Sequence, residues 1–244
     1  MRNVKLIVEY DGTDFRGWQN QPMNRTVQGL LVNILSELDE RRVDVHGASR
    51  TDAGAHALGQ VASFLFYRDM SKNEILRALN GNLLPDVRIR EVSFVGPTFH
   101  AQFSAKGKTY RYVFYLGPVV SPFLYRYVYH CRFLLDIDQM RAALPLFRGE
   151  HDFSCFASKS PEVVSTIRRV TDLELIQHNE MLELRVTGNG FLRAMVRRIA
   201  GTLQEVGRGR LALHELEALL QADESVKAGP SLPAKGLTLL EVHY

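Results

Sequence analysis

Val164 to Ile176 (VSTIRRVTDLELI) and Leu182-Glu183-Leu184-Arg185-Val186 are the two runs whose reading decides the fold. In the second run Leu182, Leu184 and Val186 alternate with charged residues, the period of a strand that buries one face and wets the other. Two such runs joined by a short polar connection predict a long hairpin, and hairpins build antiparallel sheet. Upstream, Thr109 to Leu116 predicts a strand rich in Tyr and Phe, Tyr127 to Phe133 predicts another, and Asp138 is placed to cap a helix carrying Met140, Ala143, Leu144 and Phe147. Downstream, Phe191, Leu192, Met195, Val196, Ile199, Ala200 and Leu203 recur as a helical stripe. Leu216, Leu219 and Leu220 mark a further helix, and Leu237, Leu239, Val242 and Tyr244 a closing strand.

The first half follows a similar succession. Val4 to Tyr10 predicts a buried strand ended by the turn-type cluster Asp11-Gly12-Thr13, and Val27, Leu30, Leu31, Ile34, Leu35 and Leu38 predict an amphipathic helix. Val43 to Val45 and Gln60 to Phe66 read as strands flanking a polar segment. Ser71 and Glu74 form a capping box that opens a helix, with Asn80-Gly81 as its stop, and Val87, Ile89, Val92 and Phe94 suggest one more strand. This order predicts an α+β fold: a largely antiparallel, mixed central sheet flanked by helices, in two similar halves, 1–105 and 106–244, with no linker between them.

Composition narrows the function classes. Hydrophobic residues at 45% and charged residues at 23% exclude disordered and fibrous classes. No apolar run approaches the ~20 residues of a membrane span, and the charges in Met1 to Glu9 argue against a secretory signal. Thirty Lys plus Arg against twenty-seven Asp plus Glu leave +3, too little to name a polyanionic partner from net charge. Cys131 and Cys155 are too few and too far apart for a disulfide framework or a zinc knuckle, so a reducing cytoplasm is expected.

The most unusual segment is His46-Gly47-Ala48-Ser49-Arg50-Thr51-Asp52-Ala53-Gly54-Ala55-His56-Ala57. Its small residues allow backbone and ligand to approach closely, and a loop between strands is where a scaffold carries functional groups. Arg50 and Asp52 are two apart, so in extended chain both side chains lie on one face. A guanidinium there keeps the carboxylate ionised, as a nucleophile or base requires. The alternatives are a plain turn, in which Asp52 bonds its own backbone, and a metal site using His46 and His56 around Asp52; the spacing of those histidines fits no helical zinc motif.

Two further features are cationic. From Arg185 to Arg210 six arginines (Arg185, Arg193, Arg197, Arg198, Arg208 and Arg210) face one acid, Glu205. Arginines in the first turns of a helix oppose its dipole, which suggests an anionic partner, phosphate or carboxylate. Arg193 and Arg197, four apart, are expected to share a face, and Arg198 is expected to be solvated. Lys106 to Tyr115 interleaves bases with aromatics: Tyr110, Tyr112 and Phe114 share one strand face, as stacking on unpaired bases would need, or as a simple core would.

Taken in order, Tyr10-Asp11-Gly12-Thr13 with Phe15, Gly17-Trp18-Gln19 and Gln21; Thr26-Val27-Gln28; Arg50-Thr51-Asp52-Ala53-Gly54 with His56-Ala57; Phe99-His100-Ala101 with Phe103-Ser104-Ala105; Tyr110-Arg111-Tyr112; His151-Asp152-Phe153; Phe191-Leu192 with Met195-Val196-Arg197; and Gly236-Leu237 resemble the tRNA pseudouridine synthase A family nearly end to end. Ser49 stands where that family usually has glycine and Ala55 where it usually has valine, both small changes. The resemblance implies a pseudouridine synthase fold with its cleft between the two halves. It implies Asp52 as the essential carboxylate, Arg50 holding the target nucleotide out of its stem, Tyr110 packing on the flipped uracil, and Arg197 pairing with Asp52. It also implies a tRNA substrate, modified at neighbouring uridines of the anticodon stem-loop, a homodimer, no DNA or membrane partner, and no metal or other cofactor, since the isomerisation conserves its atoms. Lys106, Lys108, Arg193, Arg208 and Arg210 are the candidates for phosphate contact. His56 has no assigned role beyond packing. A non-catalytic RNA-binding module and a metal-dependent hydrolase using His46, Asp52 and His56 are the competing classes.

Overall fold

The computed structural model describes residues 1–158, 164–223 and 225–244. In chain order the elements are β1 (Arg2–Tyr10), α1 (Val27–Leu38), β2 (His46–Gly47), β3 (His56–Phe66), α2 (Lys72–Asn82), β4 (Val87–Val95), β5 (Gly107–Tyr115), β6 (Tyr129–His130), α3 (Ile137–Phe147), β7 (Gly149–Asp152), β8 (Ile167–His178), β9 (Met181–Gly188), α4 (Met195–Gly207), α5 (Leu213–Leu220) and β10 (Leu237–His243). They form two compact units, Met1–Lys106 with Thr238–Tyr244, and Gly107–Leu237. Strands and helices combine as α+β in both, with sheets that are largely antiparallel.

In the first unit the strand order is β4-β1-β3-β10, with β2 also on β3. The β1–β3 and β1–β4 pairings are antiparallel, whereas β10 runs parallel to β3 through Thr238↔His56 and Leu239↔Ala57. Val4, Leu6, Val8 and Tyr10 alternate into the core, as a one-face-buried strand must. Helix α1 buries Val27, Leu31, Ile34 and Leu35, and Thr26 caps it by accepting from Gly29 N–H. Helix α2 opens on the Ser71–Glu74 capping box.

In the second unit the order is β5-β9-β8-β7, with β6 parallel on β5. The β8–β9 hairpin and the β5–β9 pair are antiparallel throughout. Tyr110, Tyr112 and Phe114 are all buried, so the aromatic face of β5 is core. Helix α4 buries Met195, Val196, Ile199, Ala200 and Leu203. Cys131 and Cys155 are not joined in a disulfide. Among the described residues no helix is long and apolar enough to cross a membrane.

Five local expectations change. Val43 and Val45 are core residues, but the ladder forms at His46–Gly47, because Val43 N–H goes to Ser36 Oγ and Val45 C=O accepts from Gln28 Nε2. The strand expected over Tyr127 to Phe133 pairs only at Tyr129–His130. Helix α2 runs through Asn80-Gly81 to Asn82: the Asn80 side chain bonds both N–H and C=O of Ile89 instead of ending the helix, and Gly81 faces open space. Asp136, not Asp138, caps α3, accepting from Gln139 N–H. Finally, the stripe starting at Phe191 becomes helix only at Met195, because Ala194 takes a left-handed conformation (φ 64°) that no helix propagates. Arg193 is therefore outside α4 and does not share a helix face with Arg197.

Candidate active site

Arg50-Thr51-Asp52 sits in the loop between β2 and β3, and a second segment, Asp11 to Trp18, holds that loop by backbone contact. Trp18 N–H donates to Thr51 C=O at 3.2 Å, and Gly54 N–H donates to Phe15 C=O at 3.2 Å. Such approaches leave no room for side chains. A Cβ on Gly12 would fall 1.8 Å from Ala55 O, and one on Gly17 (φ +92°) 2.5 Å from Thr51 O. Ala55 N–H closes a turn onto Asp52 C=O at 3.1 Å, and Gly54 (φ +79°) takes the third turn position, where a type II turn needs positive φ. The Asp-Ala-Gly sequence is thus legible as turn chemistry.

Thr51 points inward and is buried, its Oγ1 2.8 Å from the Tyr10 hydroxyl. Its neighbours point away from that anchor: Asp52 is partly exposed and Arg50 exposed. Gln60, fully buried on β3, donates to Ser49 C=O at 2.7 Å and accepts from Ser49 N–H at 3.3 Å. It fixes the loop's entry, and the sequence reading passed over it; a polar residue at an inward strand position was the available signal. His56 is buried with Nδ1 accepting from Gly12 N–H at 3.1 Å, which ties the two segments together. His46 stands elsewhere, its ring 4.6 Å from that of His100, which lies 4.4 Å from Phe103. Burial, with His46 beside it, lowers the His100 pKa. Among the described residues no three His, Cys, Asp or Glu side chains gather as a metal would require.

The Tyr10–Thr51 bond yields a first expectation. Tyr10→Phe removes one partner of a buried hydroxyl pair and costs roughly 0.5–1.5 kcal/mol of stability, read from chemical unfolding. Turnover should fall with it, because Thr51 is the residue between Arg50 and Asp52.

The other candidates lie in the second unit, except Lys106, which is exposed in the first. Tyr110 is buried, its ring edge-on to Phe191 at 5.1 Å. Arg197, in the first turn of α4, donates from Nε to Leu232 C=O at 2.6 Å, and Leu232 N–H returns to Arg197 C=O at 3.3 Å. Arg198 is half-buried rather than solvated, with Nε buried and without a hydrogen-bond partner. Arg193 and Arg210 are exposed. Arg208, its side chain 13% exposed, is committed to Glu205 Oε1 at 2.8 Å and covers the Phe133 ring at 3.6 Å. Lys108 is half-buried.

Residues 6–104 and 143–244 match the sequence profile of the tRNA pseudouridine synthases, and the chain belongs to that family. Three curated relatives share the name tRNA pseudouridine synthase A. The tRNA pseudouridine synthase A of Acetivibrio thermocellus is 42% identical over 244 residues, covering 100% of both chains. The protein of that name from Citrifermentans bemidjiense is 42% identical over 245 residues, covering 100% of this chain and 98% of its own. That of Ruminiclostridium cellulolyticum is 42% identical over 246 residues, with 100% of both covered.

Proposed function

We propose that the chain isomerises uridine to pseudouridine in the anticodon stem-loop of tRNA, with Asp52 as the essential carboxylate. Membership of the family makes it an isomerase acting on tRNA. The observation that carries the residue-level reading is the anchoring of Asp52. Thr51 C=O, Asp52 C=O and Gly54 N–H are held by backbone hydrogen bonds and the Thr51 hydroxyl by Tyr10, while Asp52 itself is partly exposed.

The chemistry breaks the N1–C1′ bond, turns the uracil, forms a C5–C1′ bond, and transfers the C5 hydrogen to solvent while N1 takes a proton. Atoms balance without an oxidant, reductant or cofactor. The nucleotide must first leave its stem, at a cost of a few kcal/mol for unstacking; Arg50, exposed beside Asp52, fills the vacated space and bonds the backbone. The Asp52 carboxylate then acts on the nucleotide, by attack at C1′, addition at uracil C6, or removal of a sugar proton. Tyr110 offers a ring to stack on the uracil and a hydroxyl for the proton step at C5. Arg197 is the partner assigned to the Asp52 carboxylate, the pairing that the family resemblance implies. Serving neighbouring uridines from one site calls for electrostatic docking rather than base readout, and Lys106, Lys108, Arg193 and Arg210 supply it, whereas Arg208 is taken up by Glu205 and Phe133. The protein acts as a homodimer in the cytoplasm, one tRNA crossing both protomers; light scattering of the purified protein tests the dimer.

The deciding experiment is tritium release from C5-labelled uridine in tRNA. A synthase releases it, a non-catalytic RNA-binding module does not, and a hydrolase shortens the RNA instead. Arg193, exposed and outside α4, gives a separate expectation. Arg193→Ala should weaken tRNA binding and lower the slope of log affinity against log salt by about 0.7–0.9, measured by filter binding. An unchanged slope removes Arg193 from the phosphate contacts.

A further inference from the structure

We infer that Lys108 and Arg168 together seat one phosphate of the substrate RNA beside the ring of Tyr110. The inference rests on the reading of tRNA as substrate and adds a defined subsite to it.

The sheet register assembles the pair. Lys108 on β5 is opposite Gly188 on β9, and Gly188 is opposite Val170 on β8. Directly opposed residues present their side chains on the same face, and so do residues two apart along a strand. Lys108, Tyr110, Val170 and Arg168 therefore emerge from one face of the second unit's sheet. Lys108 is a single two-residue step, roughly 7 Å, from Tyr110. That is about the distance between a nucleotide's base and its own phosphate.

Around the two cations the described neighbours are small and aromatic residues rather than acids. Gly188 contributes no side chain, and the Phe191 ring lies over it: a Cβ there would be 3.2 Å from Phe191 Cζ. The same ring meets Tyr110 edge-on. A Cβ on Gly190 would stand 3.6 Å from Arg168 Nε. Arg168 is already aimed, because its Nη1 donates to Ser165 C=O at 2.9 Å and to Ile167 C=O at 2.6 Å. Its remaining N–H groups make no hydrogen bond, and neither cation has a carboxylate partner, among the described residues.

Two half-buried cations with no acid beside them among the described residues repel each other and lose hydration, and an anion between them relieves both costs. Phosphate suits the pair, with Arg168 presenting planar donors and Lys108 a point charge. The charged group that Lys108 feels is Arg168, from β8; β9 places only Gly188 opposite it, and His151 of β7 stands across from Arg168 in register. Burial, then the Arg168 charge, brings the Lys108 ammonium down to about 8. A bound phosphate raises it again. Below pH 8 the lysine is charged before the RNA arrives. Above pH 8 binding must take up a proton, and affinity falls by up to about tenfold per pH unit until the bound-state pKa is passed.

The test is tRNA binding by the intact protein across salt and across pH 7 to 9.5, with Lys108→Met, Lys108→Arg and Arg168→Gln beside the wild type. Lys108→Met and Arg168→Gln should each bind roughly tenfold more weakly at low salt, with a salt slope shallower by about 0.7–0.9. Lys108→Met should also lose the decline in affinity above pH 8. Lys108→Arg, charged throughout, should keep the affinity at pH 7 and lose the same decline. Unchanged salt slopes in both neutral variants, with circular dichroism matching the wild type, overturn the seat. If the wild type still releases tritium from tRNA in that case, the isomerase reading stands. If it releases none, that reading fails and takes the seat with it.

Discussion

Asp52→Asn should lower pseudouridine formation by about four orders of magnitude or more, a loss of roughly 5 kcal/mol of transition-state stabilisation, while tRNA binds within about threefold of the wild type. The size follows from the chemistry. Every route from uridine to its isomer asks the carboxylate to act as a nucleophile or base, and an amide of the same shape does neither. The separation from binding follows from the fold. Thr51 C=O, Asp52 C=O and the N–H groups of Gly54 and Ala55 are engaged through the backbone, and Thr51 through its hydroxyl. Changing the Asp52 side chain therefore leaves the loop's anchors in place. Tritium release and filter binding on the same preparation measure the two halves of the expectation. Turnover at wild-type rate removes Asp52 from the mechanism.

Trp18→Ala should destabilise the protein by roughly 3–5 kcal/mol and depress turnover at temperatures where the variant is still folded. Trp18 is 1% exposed and is the chain's single tryptophan. Its indole lies against Gly47 so closely that a Cβ there would be 2.3 Å from it, and its ring centroid is 6.2 Å from that of Tyr10. The same residue's N–H holds Thr51 C=O. Removing the indole opens a cavity under β2 and loosens the segment that grips the Asp52 loop, so stability and activity fall together. Urea unfolding followed by circular dichroism checks the first effect, since the variant has no tryptophan to fluoresce. A loss under about 1 kcal/mol, well below the usual cost of an emptied aromatic site, shows that Trp18 is not the support described.

Long periodic runs were the most legible part of the chain. The β8–β9 hairpin, the stripe of α1 and the capping box of α2 follow from spacing, because burial on one face imposes a period that sequence displays directly. Features set by side chain to backbone bonds were not legible. Val43 and Val45 look like strand residues, yet Ser36 and Gln28 divert their backbone groups. Ala194 gives no warning that it turns left-handed and starts α4 four residues later than the apolar stripe begins. At the site, composition pointed to the Asp52 loop and turn chemistry to Gly54. Gln60 and Arg168 were passed over, because each acts through partners far away in sequence: Ser49 for the first, the β5 lane for the second.

The parallel pairing of β10 with the start of β3 has a consequence for how the protein is made. His56 and Ala57, which close the loop bearing Asp52, find their ladder partners in Thr238 and Leu239. At a translation speed of roughly 5–20 residues per second, about 180 further residues must be polymerised, over some 10–40 s, before that edge is covered. Throughout that interval the nascent chain exposes an open strand edge next to the Asp52 loop, a template on which another chain can pair. A messenger cut short before codon 238 therefore yields a product whose Asp52 segment is fully encoded but never clamped.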